Sequence, residues 1–530
     1  MPPSATTAIA DSGEIIVIRN PATLELVGEV PCVDIEFVPI AVSKARQAQK
    51  VWADISLDAR RERLQQLQVW VAEHQLEIAR TVCEETGKPR LEATNVDVMS
   101  SLSVGRFAIG QMGTLFRPKR LNLGRLDLVM RAMGRGSYLH ARPLGVVGVI
   151  TPWNYPFGLP YSQTIMALAA GNSVIIKPSS EAPMSAKWVE RACVTCGLPE
   201  GLVQVLVGRG GKVGKALLAS GVDRVVFTGS GEKGREVMTE AAQRLTPVTL
   251  ELGGKDPFIV LEDADLERTV RGAVWGAFVN AGQTCAGVKR IYVQRKISER
   301  FTEALAMQAS RLKMGWGWDD PDVSMGPLIN EKVLREIETA VSLAMEQGAR
   351  CITGGRRHPT LSGHFYEPTI LVDAKQEMDI VQQEVFGPIV TIIPFDSDEE
   401  ALALAADCTY ALNASIWTRD LARGRGLAEK LPGGTAVINN TPYTFGIGET
   451  PWGGSGESGF GRTHGLLGLL ELVETHHVHW DKGGYAQDIW WSPYDQEKRD
   501  AGEALVNDLF GKEGGSVLFK MMRHRRLMKR

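Results

Sequence analysis

The chain has 530 residues, too many for one hydrophobic core, so two or more domains are expected. A charged fraction of 23% and an apolar fraction of 44% are ordinary for a globular protein, and a net charge of -3 gives no overall attraction to nucleic acid. Seven scattered cysteines, one left over if the others paired, fit a reducing compartment better than a disulfide framework and point to the cytoplasm.

The start, Met1-Pro2-Pro3-Ser4, lacks the basic and apolar regions of a secretory signal, and a flexible beginning is expected. No apolar run approaches the roughly 20 residues that span a bilayer. Ile15 to Val30 reads as short strands around Asn20-Pro21. From about Val38 to Gly110 the period is helical, with Leu64, Leu67, Trp70 and Val71 on one face. Gly87 followed by Pro89 ends one of these helices. Leu121 to Ser137 reads as a hairpin.

Continuous apolar runs then recur at Pro143–Ile150, Ser173–Lys177, Leu202–Leu206 and Arg224–Phe227, with a fifth ending at Glu251. Such runs suit strands buried on both faces, and the helical stretches between them argue for a parallel, doubly wound sheet. A second alternating set begins at Phe258–Val260 and runs through Ile291–Val293, Glu331–Gln347 and Ile389–Ile393 to Thr435–Ile438. Glycine and proline cluster from Thr441 to Gly461, which suits a long ordered loop. Cys193 and Cys196 have the spacing of a metal or redox pair, but no second pair follows, so the last turns of a helix are the better reading. His476, His477 and His479 read as a strand with exposed histidines rather than a metal site.

The chemistry concentrates between Thr249 and Gly287. Cys285 is a thiol among small and polar neighbours, and Glu251 is a carboxylate able to take a proton. Taken alone, a cysteine is more often an inert buried thiol, but Gln283 and Thr284 make this neighbourhood too polar for a core. Gly229-Ser230-Gly231-Glu232-Lys233-Gly234 follows a strand and precedes a helix, so its backbone N–H groups can hold a diphosphate. On that reading alone Glu251 has two possible jobs, ribose ligand or base.

Six motifs stand in one order: Thr151-Pro152-Trp153-Asn154-Tyr155-Pro156, Ile176-Lys177-Pro178-Ser179, Phe227-Thr228-Gly229-Ser230, Leu250-Glu251-Leu252-Gly253-Gly254-Lys255, Gly282-Gln283-Thr284-Cys285 and Glu384-Val385-Phe386-Gly387-Pro388. Over roughly residues 15 to 480 the chain resembles the aldehyde dehydrogenase superfamily. The resemblance implies that Cys285 attacks an aldehyde, that Asn154 donates to the oxyanion, and that Glu251 activates the water that hydrolyses a thioester. It implies NAD or NADP as cofactor, with Trp153, Lys177, Ser180, Gly229, Ser230, Leu252, Glu384 and Phe386 around it. It implies an α/β fold with two doubly wound parallel-sheet domains, one cofactor-binding and one catalytic, a small β oligomerisation element and a helical C-terminal extension. The expected boundaries are 1–120 with 141–249 for the cofactor, 250–445 for catalysis, 121–140 with 446–482 for assembly, and 483–530 for the extension. Assembly as a homodimer or homotetramer through Leu121–His140 and Leu467–Trp480 is expected. CoA-acylating oxidation and a non-catalytic scaffold are the rival readings; the retained Glu251 speaks for water against the first, and Cys285, Glu251 and Asn154 together against the second.

Three departures from the family pattern carry information. Many NAD-preferring relatives have Glu where Ser180 stands, so the repulsion of a 2′-phosphate is removed and use of both dinucleotides is expected. Some relatives carry a Glu after the late Gly-Arg, where this chain has Thr463. The chain also continues past the usual end near Trp480, and Val517–Arg530 mixes apolar and basic residues as a membrane-surface helix does, although a helix packed on protein has the same composition. Gly158 and Ser162 are expected to leave room for substrate, and Tyr443 and Phe445 to wall it, which suits an aliphatic or aromatic aldehyde.

Overall fold

The computed structural model describes residues 11–122, 127–132, 134–483, 487–488 and 490–511. The chain divides into two compact units, Met1–Met112 with Pro143–Leu472, and Gly113–Arg142 with Val473–Arg530. The expected flexible start and the basic segment Val517–Arg530 lie outside the described residues.

Two large sheets organise the first unit. The six-stranded sheet runs, edge to edge, Gly459–Phe460, Val248–Glu251, Arg224–Thr228, Val146–Ile150, Ser173–Lys177, Val203–Val205. All neighbours are parallel except the edge strand Gly459–Phe460, which pairs antiparallel with Val248–Glu251. Ile150 pairs with both Lys177 and Phe227, and Thr228 with Glu251, so the strands end together in one rim. In open α/β sheets ligands bind at that rim. The seven-stranded sheet is ordered Arg350–Thr353, Thr369–Val372, Ile389–Phe395, Val288–Gln294, Asp256–Val260, Asn413–Trp417, Thr435–Ile438, with only the first strand antiparallel. Phe258, Ile259, Ile291 and Tyr292 are fully buried at its centre.

The first part of this unit is a β-hairpin, Asp11–Arg19 with Leu26–Val33, followed by helices Phe37–Asp54, Leu57–Glu73 and Gln75–Thr86. Ser56 caps the second by accepting from Ala59 N. Gly87 ends the third in the left-handed region (φ 73°), and a Cβ there would lie 2.3 Å from Pro327, so only glycine fits. A π-helical stretch, Ala93–Met99, then leads into helix Ser100–Phe116. Such wide turns are rare and are common near functional sites. Helix Met184–Thr195 ends beside Cys196, as the reading of that pair as helical turns requires.

The second unit holds a three-stranded sheet, Val473–Asp481, Arg135–Pro143, Lys119–Arg120, and helix Gln496–Phe510. Arg135 is buried and bonded to both Asp481 and Asp488. His477 and His479 are exposed on their strand, and His479 Nδ1 lies 2.8 Å from Ser137 Oγ. The hairpin expected over Leu121–Ser137 needs correcting. Lys119–Arg120 does pair with Arg135–Pro143, but a helix, Asp127–Ala132, lies between them. Two strand residues on one side were too few to show an alternating pattern. Among the described residues no helix is long and apolar enough to cross a membrane, and no cluster of His, Cys, Asp and Glu could hold a metal ion.

Candidate active site

Cys285 is presented by a strained turn. Helix Leu266–Phe278 stops at Val279, and Asn280 (φ 52°), Ala281 (φ 53°) and Gly282 (φ 71°) follow in the left-handed region. For a non-glycine residue that conformation costs about 1–3 kcal/mol and persists only where its surroundings hold it. Here they do. Asn280 N donates to Glu92 Oε2 at 2.9 Å, and Asn280 Nδ2 donates to the carbonyls of Asn154 (3.0 Å) and Gln283 (3.1 Å). The Gln283 amide bonds Asn280 O, Pro327 O and Ile329 N. Buried Lys289 donates to Gly282 O at 2.6 Å and Gly387 O at 3.1 Å. A Cβ on Gly282 would lie 2.1 Å from Gly387 O. The turn delivers Cys285, half-buried, to the wall of a cavity of about 810 Å³. Burial, reinforced by the charges of Glu251, Asp256 and Glu384, holds its thiol well above the ordinary range.

Asn154 sits opposite, 3% exposed, with Nδ2 donating to Gln283 O at 3.1 Å. That nitrogen carries a second N–H that can serve an oxyanion. The loop behind it is pinned by a fully buried ion pair. Lys88 Nζ is 2.8 Å from Asp97 Oδ2 and donates to Asn154 O at 2.6 Å, and it lies 4.3 Å from the centre of the Tyr155 ring. Asp97 Oδ1 accepts from the backbone N–H of Phe157 and Gly158. The Tyr155 hydroxyl lies 2.6 Å from Thr284 Oγ1, which ties this loop to the residue before Cys285.

Glu251 ends its strand 4% exposed. Burial raises its carboxyl to about 7, opposed by a hydrogen bond from Thr463 and by the charge of Arg462. Thr463 Oγ1 donates to Glu251 Oε1 at 3.2 Å. A carboxyl near 7 is half-ionised at neutral pH, where a general base works best.

Trp153, Gly229, Ser230, Leu252, Glu384 and Phe386 line the same cavity as Cys285, Glu251 and Asn154. Trp153 and Phe386 meet edge to face at 5.6 Å. Glu384 Oε1 accepts from Gly254 N at 3.1 Å, and a Cβ on Gly253 would strike the Glu384 carboxylate. The helix Gly231–Ala242 opens at Ser230, whose side chain accepts from Lys233 N. Glycines that admit no side chain, a helix start and facing aromatic rings fit a dinucleotide. Lys177 and Ser180 lie outside the cavity lining. Lys177 Nζ, at the end of its strand, donates to Pro178 O at 2.7 Å, and burial lowers it to about 8.

Tyr443 and Phe445 do wall the cavity, but Gly158 and Ser162 do not open it. Both are buried in helix Gly158–Ala169, and Gly158 packs on the Asp97 backbone. Space comes instead from Val96, Met99, Trp275 and Val279, none of which the sequence reading singled out. Nor did it find Lys88 or Asp97, because a lysine beside a helix-ending Gly-Lys-Pro reads as solvated.

A thiol, an amide and a buried carboxylate thus share one cavity at the rim of an α/β sheet, as an enzyme's site would. The aldehyde dehydrogenase family model matches residues 8–478. The chain is 34% identical over 470 residues to a 3-sulfolactaldehyde dehydrogenase of Pseudomonas putida, covering 88% of this chain and 94% of that one. It is 34% identical over 473 residues to an NADP(+) succinate-semialdehyde dehydrogenase of Escherichia coli, covering 88% and 95%. Among solved structures, a betaine aldehyde dehydrogenase of Staphylococcus aureus in complex with NAD+ superposes with a TM-score of 0.85 at 32% identity, over 92% of this chain and 95% of that one. An NAD+ complex of an aldehyde dehydrogenase from Bacillus cereus gives 0.84 at 32% identity, over 89% and 94%. The chain belongs to the aldehyde dehydrogenase family and is an oxidoreductase acting on the aldehyde group.

Proposed function

We propose that the enzyme oxidises an apolar, aliphatic or aromatic aldehyde to its carboxylic acid with NAD or NADP, through a thioester on Cys285 hydrolysed by water that Glu251 activates. The observation that carries this reading is the convergence of Cys285, Asn154 and Glu251 on one cavity whose other walls are mostly apolar. Cys285 Sγ bonds to the aldehyde carbon while the thiol proton passes to water in the cavity. Asn154 Nδ2 and the Cys285 backbone N–H donate to the oxygen as it gains charge; pre-aimed donors of this kind contribute about 2.7–4 kcal/mol each. A nicotinamide dinucleotide held beside Cys285 would supply the acceptor for the hydride that this carbon must lose to become a thioester. Water then adds to the thioester carbonyl, one of its protons passes to Glu251, the C–S bond breaks, and the thiol regains a proton as the acid leaves. The six-stranded half holds the dinucleotide, with Trp153, Gly229, Ser230, Leu252, Glu384 and Phe386 around it and Lys177 and Ser180 toward the adenosine ribose.

The named relatives act on anionic and cationic aldehydes alike, so the cavity lining is the better guide to substrate. Among the described residues no arginine lines it, and its lysine, Lys332, stands on helix Glu331–Glu346 beside Glu336. A cation placed for a substrate carboxylate is therefore lacking there, while Trp275, Val279, Tyr443 and Phe445 offer an apolar wall. The test is reduced-nicotinamide formation with a panel of aldehydes, beside Cys285→Ala and Glu251→Gln. Cys285→Ala should be silent, and Glu251→Gln should give a burst followed by slow turnover. A clear preference for succinate semialdehyde would overturn the substrate class, and full steady-state turnover in Glu251→Gln would overturn the role of the base.

A further inference from the structure

We propose that Thr463 is a positioning residue for Glu251: its hydroxyl holds one carboxylate oxygen so that the other faces the water that attacks the thioester. The inference rests on the reading of Glu251 as the base. Its grounds are geometric. The short strand Gly459–Phe460 pairs Gly459 with Glu251 and Phe460 with Leu250, so the late loop is laid directly along the strand that ends in the carboxylate. Leu252 N donates to Ser458 O at 3.1 Å and continues that pairing past Glu251.

The chain then turns at Gly461 (φ 83°), where a Cβ would press on the Thr249 side chain. Arg462 closes the turn by donating to Gly454 O at 3.0 Å and Gly461 O at 2.7 Å. Thr463 N donates to Trp452 O at 2.9 Å. The residue is thus fixed on both sides, 3% exposed, before its side chain makes any bond. Its Oγ1 lies 3.2 Å from Glu251 Oε1 and 3.5 Å from Trp452 O. A hydroxyl has one proton to give, and the closer, charged acceptor takes it.

The groups around Glu251 leave few rivals for this task. Arg462 acts on it by charge, but its guanidinium is engaged by the two carbonyls. Trp452 is buried beside Thr463, and its ring N–H also favours the ionised form of Glu251, but it meets no acceptor in close hydrogen-bonding geometry. Cys285 is the remaining titratable neighbour, and its charge interaction with Glu251 is repulsive when both are ionised. His464, next in sequence, is fully buried with its ring 4.9 Å from that of Phe445; burial lowers it to about 4, so it is neutral and supplies no charge. The Thr463 hydroxyl is the side-chain donor that lies within hydrogen-bond distance of the carboxylate, at 3.2 Å. It also favours the ionised form, since it can donate to a carboxylate oxygen.

The experiment separates the two chemical stages in Thr463→Val, Thr463→Ser and Glu251→Gln. The pre-steady-state burst reports formation of the thioester, and the steady-state rate its hydrolysis. Hydrogen bonds to charged groups are worth about 1.5–3 kcal/mol, so Thr463→Val should slow hydrolysis roughly tenfold or more with little change in the burst. The acidic limb of its pH–rate profile should move to higher pH, and Thr463→Ser should restore both rate and profile. If Glu251→Gln stalls hydrolysis while Thr463→Val keeps the parental rate and profile, the positioning role is wrong although the base is right. If Thr463→Val lowers burst and hydrolysis together and serine does not restore them, the residue is only structural and the proposal is overturned. If Glu251→Gln hydrolyses the thioester normally, the base reading itself fails, and this inference with it.

Discussion

Replacing Lys88 by Met is the substitution that would tell most about how the site is held. The side chain is fully buried, and its ammonium bonds Asp97 at 2.8 Å and the Asn154 carbonyl at 2.6 Å. Methionine nearly matches its length, so packing changes little and the electrostatic loss dominates. Removing one member of a buried pair leaves an uncompensated charge and destabilises by about 3–5 kcal/mol. Asp97 would keep two backbone donors, from Phe157 and Gly158, which places the expected loss toward the lower end of that range. Asn154 would keep Asn280 Nδ2 on its carbonyl but lose the stronger donor. Displacing a catalytic group by about 1 Å can lower the rate a hundredfold, so kcat should fall by about ten- to a hundredfold with KM less affected. Urea unfolding with parallel kinetics measures both effects. Lys88→Met/Asp97→Asn, which removes the stranded charge and retains an acceptor, should recover much of the stability but little of the rate. A single variant with parental stability and kcat would refute the claim that this pair pins the Asn154 loop.

Other consequences are open to direct measurement. Asn154→Ala should lower kcat/KM by about 10²–10³-fold while leaving the fold intact, as read by kinetics and circular dichroism. Gly282→Ala places a Cβ 2.1 Å from Gly387 O in a left-handed turn, so it should destabilise by more than the roughly 1–3 kcal/mol of backbone strain and abolish the burst. Folding raises the Glu251 carboxyl from 4.5 to about 7, so the native state binds that proton more tightly than the unfolded chain does. Relative to acid, stability is therefore lost as pH rises through that window, on the order of 3 kcal/mol in all. Glu251→Gln should accordingly unfold at a higher temperature than the parent at pH above 7, with the difference vanishing in acid. Equal midpoints across the pH range would show that the carboxyl is not held as described. Comparable kcat/KM values for NAD and NADP are expected from Ser180, and a ratio beyond about a thousandfold, roughly 4 kcal/mol, would contradict that.

Much of the fold was legible because parallel strands covered on both faces have no polar side to interrupt their apolar runs. Val146–Ile150, within the run Pro143–Ile150, and Ser173–Lys177 are fully buried strands where apolar runs predicted them. The helix boundary at Gly87 was legible for a similar reason, since a residue type and a backbone requirement coincide there. The Thr249–Gly287 stretch likewise carried its chemistry in residue types. What holds that chemistry in place was not legible. The left-handed turn at Asn280 and Ala281 includes an alanine, which does not favour that shape by itself; it is held because Glu92, Gln283 and Lys289 converge on it. The π-helical register of Ala93–Met99, which turns Val96 and Met99 toward the cavity, is also set by packing rather than by local propensity. The short strand pair at Lys119–Arg120 was hidden because two residues cannot display a period.

On the proposed mechanism, the reacting groups and most of the substrate wall belong to different kinds of structure. Cys285 and Glu251 are fixed where the two great sheets end, each embedded in its own lattice of backbone bonds. Val96, Met99, Tyr443 and Phe445 sit on a widened helical turn and a late loop and carry none of the proposed bond-making atoms, whereas Trp275 and Val279 lie on the helix and turn that lead to Cys285. Such a division lets mutation explore one without endangering the other. A lineage can retune which aldehyde it accepts by exchanging a few wall residues, while the reaction it performs is inherited unchanged. Laboratory selection for new substrates would do well to randomise Val96, Met99, Tyr443 and Phe445 first and leave Asp97 and the sheet ends alone.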